Sequence, residues 1–175
     1  MTVESGDIAQ KVQTYLDELN RARTRLRELA SMQSTPNLTS PDPQTNERWD
    51  LGQIWAHLAE FGSYWLPQLQ KITRTPPEIV EDFGRTKRDP HRIAMIENQR
   101  HIARSVHLAT IIQDIDRLAD ELAEFTPDDW ACRGRHETLG EMTIDRFLHE
   151  FAIGHYHEHI AQLEEIHSGL PVHRG

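Results

Sequence analysis

The sequence predicts an all-α protein, a four-helix bundle. Apolar residues recur every three to four residues through four long segments, and stretches rich in proline and short polar residues separate these segments. No segment has a convincing strand pattern. Because apolar residues make up only 37% of the chain, a core requires that they be concentrated on narrow helical stripes, as in a bundle.

The first two helices are predicted from such stripes. The first covers about residues 4–31, and three prolines among Ser, Thr, Asn and Asp residues then predict a long loop. The second covers about residues 49–72, with His57 inside its apolar stripe. The predicted inner face of the second helix consists of Leu51, Ile54, Leu58, Phe61, Trp65, Leu69 and Ile72.

The third and fourth helices follow two further polar connections. The third covers about residues 90–125 and begins at Pro90, which suits a first helical turn; a short turn at Pro127–Trp130 comes after it. The fourth begins after Thr143, whose hydroxyl can cap it, and runs to about residue 168. The predicted inner face of the third helix is Ile93, Ile96, Ile102, Val106, Ala109, Ile112, Ile115, Ala119 and Leu122, and that of the fourth is Ile144, Phe147, Leu148, Phe151, His155, His159, Leu163 and Ile166.

Length, charge and cysteine content limit the architecture and the partners. We expect one domain, residues 1–168, with a short C-terminal tail, residues 169–175, since 175 residues leave no room for two well-formed cores. The net charge of −9 argues against nucleic-acid binding, which needs clustered Lys and Arg. There is no signal-peptide pattern and no apolar run near the roughly 18 residues of a membrane span. With the single Cys132, these features predict a cytoplasmic protein without a membrane partner.

Two histidines of the fourth helix share its apolar face. His155 and His159 are one turn apart and lie within about 40° of each other around the helix axis, whereas His157 points roughly 200° away from His155. Burying imidazoles without partners costs about 1–3 kcal/mol each. His57 on the second helix is the natural third member of a metal site. Three imidazoles that leave one position open are typical of a catalytic centre.

Four segments resemble the DinB-like superfamily. They are "WDLGQIWAHLAEF" with His57, "FGRTKRDPHRI" before the third helix, "GRHETLGEMT", and "GEMTIDRFLHEFAIGHYHEHIAQLEEI" with His155 and His159. The resemblance covers about residues 45–168, and the first helix fits by position only. This superfamily of metal-binding four-helix bundles includes mycothiol- and bacillithiol-dependent S-transferases and the metal-binding domain of mycothiol-dependent maleylpyruvate isomerase.

The resemblance implies an up-down-down-up bundle, in many members a homodimer, with His57, His155 and His159 holding zinc or nickel. It does not assign the substrates. The predicted function is a metal-dependent S-transferase that activates a low-molecular-weight thiol for attack on a small electrophile. A metal-coordinated thiol loses its proton, and the thiolate is the nucleophile, so no general base is required.

Two other functional classes stay open. The ion could only bridge helices in a structural or interaction protein, which a fourth protein ligand would indicate. A metal-free bundle that binds small molecules would require His57 to lie away from the other two histidines. Beside these ligands, we interpret Glu158 as a surface residue, Gln162 as a partner of a ligand or of a buried polar group, Cys132 as incidental, and the four tryptophans, including Trp49, as packing residues.

Overall fold

The computed structural model describes residues 5–33, 35–43 and 45–169, which are mostly helical with one small sheet. The helices are α1 (Ser5–Ser31), α2 (Leu51–Thr73), α3 (Pro90–Gln99), α4 (Arg104–Ala123), α5 (Pro127–Ala131), α6 (Ile144–Phe151) and α7 (Ile153–Ser168). The strands are β1 (Val80–Phe83), β2 (Arg133–His136) and β3 (Gly140–Thr143).

Four long helices surround the core. Helices α4 and α7 each pack against both α1 and α2, so the four form a closed ring around shared apolar side chains. All seven residues of the predicted inner face of α2 are buried. The up-down-down-up helix directions implied by the family resemblance stay a prediction. The largest fully buried side chains include Trp55, Tyr156, Phe147, Leu19, Leu26, Ile54, Leu58 and Ile111.

The predicted third helix is broken into α3 and α4. The carbonyl oxygen of Arg100 approaches α2 so closely that a Cβ at Gly52 would lie 2.1 Å from it. His107 Nε2 lies 3.1 Å from the carbonyl oxygen of Gln99 and spans the break. The break changes the direction in which the helix faces point, and the predicted inner face is therefore partly wrong. Four of its residues are exposed: Ile93, Ile102, Val106 and Ala109.

The predicted fourth helix is also divided, at Ala152, where the backbone leaves the helical conformation (φ −144°, ψ −95°). The predicted cap is confirmed, because Thr143 Oγ1 accepts a hydrogen bond from the backbone N–H of Arg146 at 3.3 Å. At the break a Cβ on Gly154 would lie 2.1 Å from the carbonyl oxygen of His149, so only glycine fits there. The first turn of α7 then carries His155.

A three-stranded sheet corrects the expectation of an all-α fold. Strand β1 pairs in parallel with β2, which forms an antiparallel hairpin with β3. The sheet packs against α2 and α6, and Phe83 and Met142 contribute buried side chains. Each strand has only four residues, too few for an alternating pattern to stand out from the surrounding turns. The short predicted turn at residues 127–130 is confirmed as α5.

Two further predictions concern the chain end and the membrane. Helix α7 ends at Gly169, which adopts a left-handed conformation (φ 68°). The rest of the predicted tail, residues 170–175, lies outside the described residues. Within the part of the chain that the structure describes, no helix combines the length and the hydropathy needed to cross a bilayer.

Candidate metal centre

The three predicted histidines lie together, where α2 meets α7. His155 Nε2 is 2.9 Å from His57 Nε2 and 2.8 Å from His159 Nε2. His57 and His159 are almost fully buried, and His155 is partly buried. One ring nitrogen from each histidine falls within 4.8 Å of the other two, which fits a shared ion. The alternative of a metal-free bundle, which requires His57 to lie away from the other two histidines, therefore does not apply.

Hydrogen bonding alone cannot satisfy this cluster. An imidazole nitrogen either donates one hydrogen bond or accepts one, so His155 Nε2 cannot satisfy both neighbours at once. A cation bound by the three Nε2 lone pairs removes this conflict. Among the described residues, no further His, Cys, Asp or Glu joins the three within the same distance. The donor set therefore fits an ion with three imidazole ligands and an open position.

The second nitrogen of each ring faces an acceptor three residues further along its own helix. His159 Nδ1–H donates to Gln162 Oε1 at 2.7 Å. His155 Nδ1 lies 3.7 Å from a carboxylate oxygen of Glu158. The hydrogen bond to Gln162 holds the ring proton of His159 on Nδ1 and leaves its Nε2 lone pair free for a metal, and the carboxylate near His155 Nδ1 favours the same tautomer there.

The acceptor of His57 belongs to a buried ion pair. His57 Nδ1 lies 4.0 Å from Glu60 Oε2, while Glu60 Oε1 accepts a hydrogen bond from Arg85. All three side chains are nearly inaccessible to solvent. Within the described residues, His57 Nδ1 and Glu60 Oε2 have no hydrogen-bond partner. A bound ion would place positive charge on the His57 ring, and this charge would draw Glu60 Oε2 to hydrogen-bond distance of His57 Nδ1.

The electrostatic environment favours the neutral form of two of the imidazoles, those of His57 and His155. Burial lowers the pKa of His57 well below its usual range, and the charges of the neighbouring histidines and of Arg92 act in the same direction. Burial, His159 and Arg92 likewise lower the pKa of His155. Because only the neutral ring can bind a metal ion, protons compete weakly for His57 and His155 near neutral pH.

A cavity of about 270 Å³ adjoins the three histidines. One wall is the loop between α1 and α2, which is attached to α7 where the backbone N–H of Ser40 donates to Glu165 Oε1 at 2.9 Å. Trp49 forms part of the lining and stacks on the His159 ring at 6.1 Å between centroids. The cavity is therefore large enough for a small molecule beside the ring nitrogens.

Comparisons with known proteins agree with this architecture. The family model of the DinB superfamily matches residues 16–163. The chain belongs to the DinB superfamily. Its fold is similar to the solved structure of YfiT from Bacillus subtilis, described as a probable metal-dependent hydrolase with an unusual four-helix bundle topology, with a TM-score of 0.72 and 17% identity over 92% of this chain and 89% of that chain. No curated protein matches the chain significantly.

In this DinB-superfamily protein, the other site residues have distinct positions. Gln162 bonds to a ring nitrogen of the cluster, as one of its two predicted roles requires. Glu158 is exposed, as expected, although it also faces His155. Trp49, predicted as a packing residue, stacks on His159 and also lines the cavity. Cys132 is buried away from the cavity lining, its Sγ lies 3.3 Å from the carbonyl oxygen of Asp128, and burial raises the pKa of its thiol.

Sequence reasoning missed two contributors to the DinB-superfamily site. Glu60 follows His57 by three residues, the same spacing that joins His155 to Glu158 and His159 to Gln162. That shared spacing was a usable signal. Arg85 is 25 residues from Glu60 in sequence, and no local pattern links the two residues.

Proposed function

We propose that the chain is a metal-dependent enzyme in which His57, His155 and His159 hold one divalent transition metal, zinc or nickel. The observation that carries the proposal is the convergence of three Nε2 atoms beside a cavity of about 270 Å³. When bound, the ion supplies positive charge that favours the ionised form of a thiol or of water. Without a fourth protein ligand among the described residues, this arrangement favours catalysis over a purely structural role.

The preferred reaction is transfer of a low-molecular-weight thiol to a small electrophile. The thiol loses its proton to solvent, the sulfur forms a bond to an electrophilic carbon, and the leaving group departs with its electron pair. The protein's own residues orient the histidines and shield the cavity. Gln162 orients His159, Glu60 faces His57, and Trp49 covers one side of the cavity.

Hydrolysis is the second candidate. YfiT, whose fold this chain shares, is described as a probable metal-dependent hydrolase. An ion held by the same three histidines would favour hydroxide over water, and the cavity would then hold the compound to be cleaved. The two reactions differ in the nucleophile and not in the site.

A paired assay separates these candidates. The zinc-loaded protein is mixed with a chromogenic aryl halide and cysteine, and thioether formation is compared with that of the His57→Ala variant. A panel of nitrophenyl esters without thiol tests hydrolysis. Thioether formation above the variant's rate supports thiol transfer, while ester cleavage alone favours the hydrolase. If the metal-loaded protein does neither, with other small thiols and electrophiles also tried, the enzymatic proposal is wrong.

A further inference from the structure

A cationic segment lies beside the candidate centre. Residues 85–92 contain four Lys or Arg residues in a chain whose net charge is −9. Arg85 pairs with Glu60, and Lys87 Nζ lies 3.3 Å from Asp42 Oδ2. Arg88 is exposed and does not line the cavity. Arg92, in the first turn of α3, does line it.

Arg92 is positioned without a carboxylate partner. Its Nη1 donates to the carbonyl oxygen of Lys87 at 3.0 Å, and its guanidinium lies 5.5 Å from the centre of a Trp49 ring. Within the described residues, no carboxylate is within ion-pair distance of the Arg92 guanidinium, on which Glu60, Glu47 and Asp89 act only at longer range. The other guanidinium N–H groups make no hydrogen bond to the described residues. These donors belong to a group that stays protonated in proteins. An anion in the cavity would satisfy them.

The carboxylates around the cavity are occupied by other contacts. Asp42 pairs with Lys87, and Glu165 accepts hydrogen bonds from the backbone and the hydroxyl of Ser40. Glu158 faces His155, and Glu47 Oε2 accepts from Thr45 Oγ1 at 3.3 Å. None of these four groups forms an ion pair with Arg92 at contact distance, and Glu47 acts on Arg92 only at longer range.

We propose that Arg92 binds a carboxylate of the small-molecule substrate while the reacting end of that molecule lies at His57, His155 and His159. This inference rests on the proposed function and adds the substrate class, a small monoanionic carboxylic acid. The planar guanidinium fork matches a carboxylate. A phosphate dianion is disfavoured, since four carboxylates and only two cationic side chains, Arg92 and Lys87, line the cavity.

Trp49 gives this arrangement its geometry. One side of its indole system is near Arg92, and its ring stacks on His159. A substrate lying along Trp49 therefore has its anionic end at Arg92 and its other end at the imidazoles. Arg92 is in this sense a specificity-determining residue that does not touch the reacting atoms.

The test uses the full-length protein loaded with zinc and pairs of hydroxamates as probes. A hydroxamate binds a metal ion through its oxygen atoms and needs no thiol, so the probe does not depend on the transfer reaction. One member of each pair ends in a carboxylate and the other in the neutral amide, over a short series of chain lengths. Calorimetry measures binding to wild type, Arg92→Gln and the matched control Arg88→Gln, and zinc content is measured in each sample.

We expect wild type to bind the carboxylate member of the best-fitting pair about tenfold more tightly than the amide, as a charge-assisted hydrogen bond provides. Arg92→Gln should retain zinc and lose this preference, and Arg88→Gln should keep it. Equal binding of acid and amide at every chain length overturns the inference, as does a preference that survives in Arg92→Gln. A protein that takes up no zinc overturns the proposed function itself, and the inference with it.

Discussion

Replacing Gln162 by alanine should weaken zinc binding about ten- to hundredfold while the protein stays folded. Gln162 Oε1 accepts the hydrogen bond of His159 Nδ1–H at 2.7 Å. The Gln162 side chain is only partly buried, so alanine leaves no enclosed cavity in the core. The change therefore acts on the orientation and the proton position of one imidazole.

Two effects contribute to the expected loss. If His159 then exchanged freely between two equally populated tautomers, half of the molecules would keep the Nε2 lone pair, which costs a factor of two, or about 0.4 kcal/mol. Loss of a hydrogen bond that strengthens as the bound imidazole gains positive charge costs about 1.5–3 kcal/mol. The second effect dominates, and its 1.5–3 kcal/mol corresponds to about a ten- to hundredfold loss of affinity.

The assay is competition for zinc against a fluorescent chelator. Gln162→Glu retains an acceptor and should keep at least wild-type affinity. Glu158→Ala removes an exposed carboxylate 3.7 Å from His155 Nδ1, which water can replace, and should cost less than about threefold. If Gln162→Ala bound zinc within twofold of wild type while His159→Ala lost it, the assigned role of Gln162 would be refuted.

Three further predictions concern the metal-free protein. Burial lowers the pKa of His57 and His155 in the folded protein, so the unfolded chain binds more protons below about pH 6.5. The free energy of unfolding should therefore fall from pH 7 to pH 5 by on the order of 1 kcal/mol per pH unit for each histidine. Urea unfolding of wild type and His57→Ala at several pH values checks this, and identical pH dependences of the two proteins would contradict it. Cys132, buried and with a raised pKa, should react with iodoacetamide only after unfolding, so rapid labelling of the native protein would show the assignment to be wrong. Gly154→Ala, whose Cβ would lie 2.1 Å from the His149 carbonyl oxygen, should lose about 1–3 kcal/mol of unfolding free energy, whereas Gly6→Ala, with nothing within 4 Å, should lose none.

Helix α2 was predictable because its signals are local. Asp50 and Gln53 form a capping box at its start, and its apolar stripe keeps one phase over the whole length. The spacing of His155 and His159 fixes their relative orientation on any helix, so their shared face followed from the sequence. The position of His57 beside the pair was harder to predict, because it depends on how α2 packs against α7.

The breaks and the sheet were not predictable because contacts between distant segments determine them. The end of α3 lies where the Arg100 carbonyl meets Gly52, and neither residue marks a helix end by itself. Strand β1 has the sequence VEDF and pairs with RGRH some fifty residues later. The pairing of Arg85 with Glu60 has the same origin. In each case the partner, and not the local pattern, fixes the conformation.

The measurement that tests the central claim most directly is the transition-metal content of the purified, untagged protein and of its histidine variants. Wild type should carry about one equivalent of zinc or nickel per chain, and His57→Ala, His155→Ala and His159→Ala should each lose it while keeping their helical circular-dichroism signal. His157→Ala, an exposed histidine on the same helix, should keep the metal. Full metal content in any of the three ligand variants, or no uptake by wild type after reconstitution, would contradict the account.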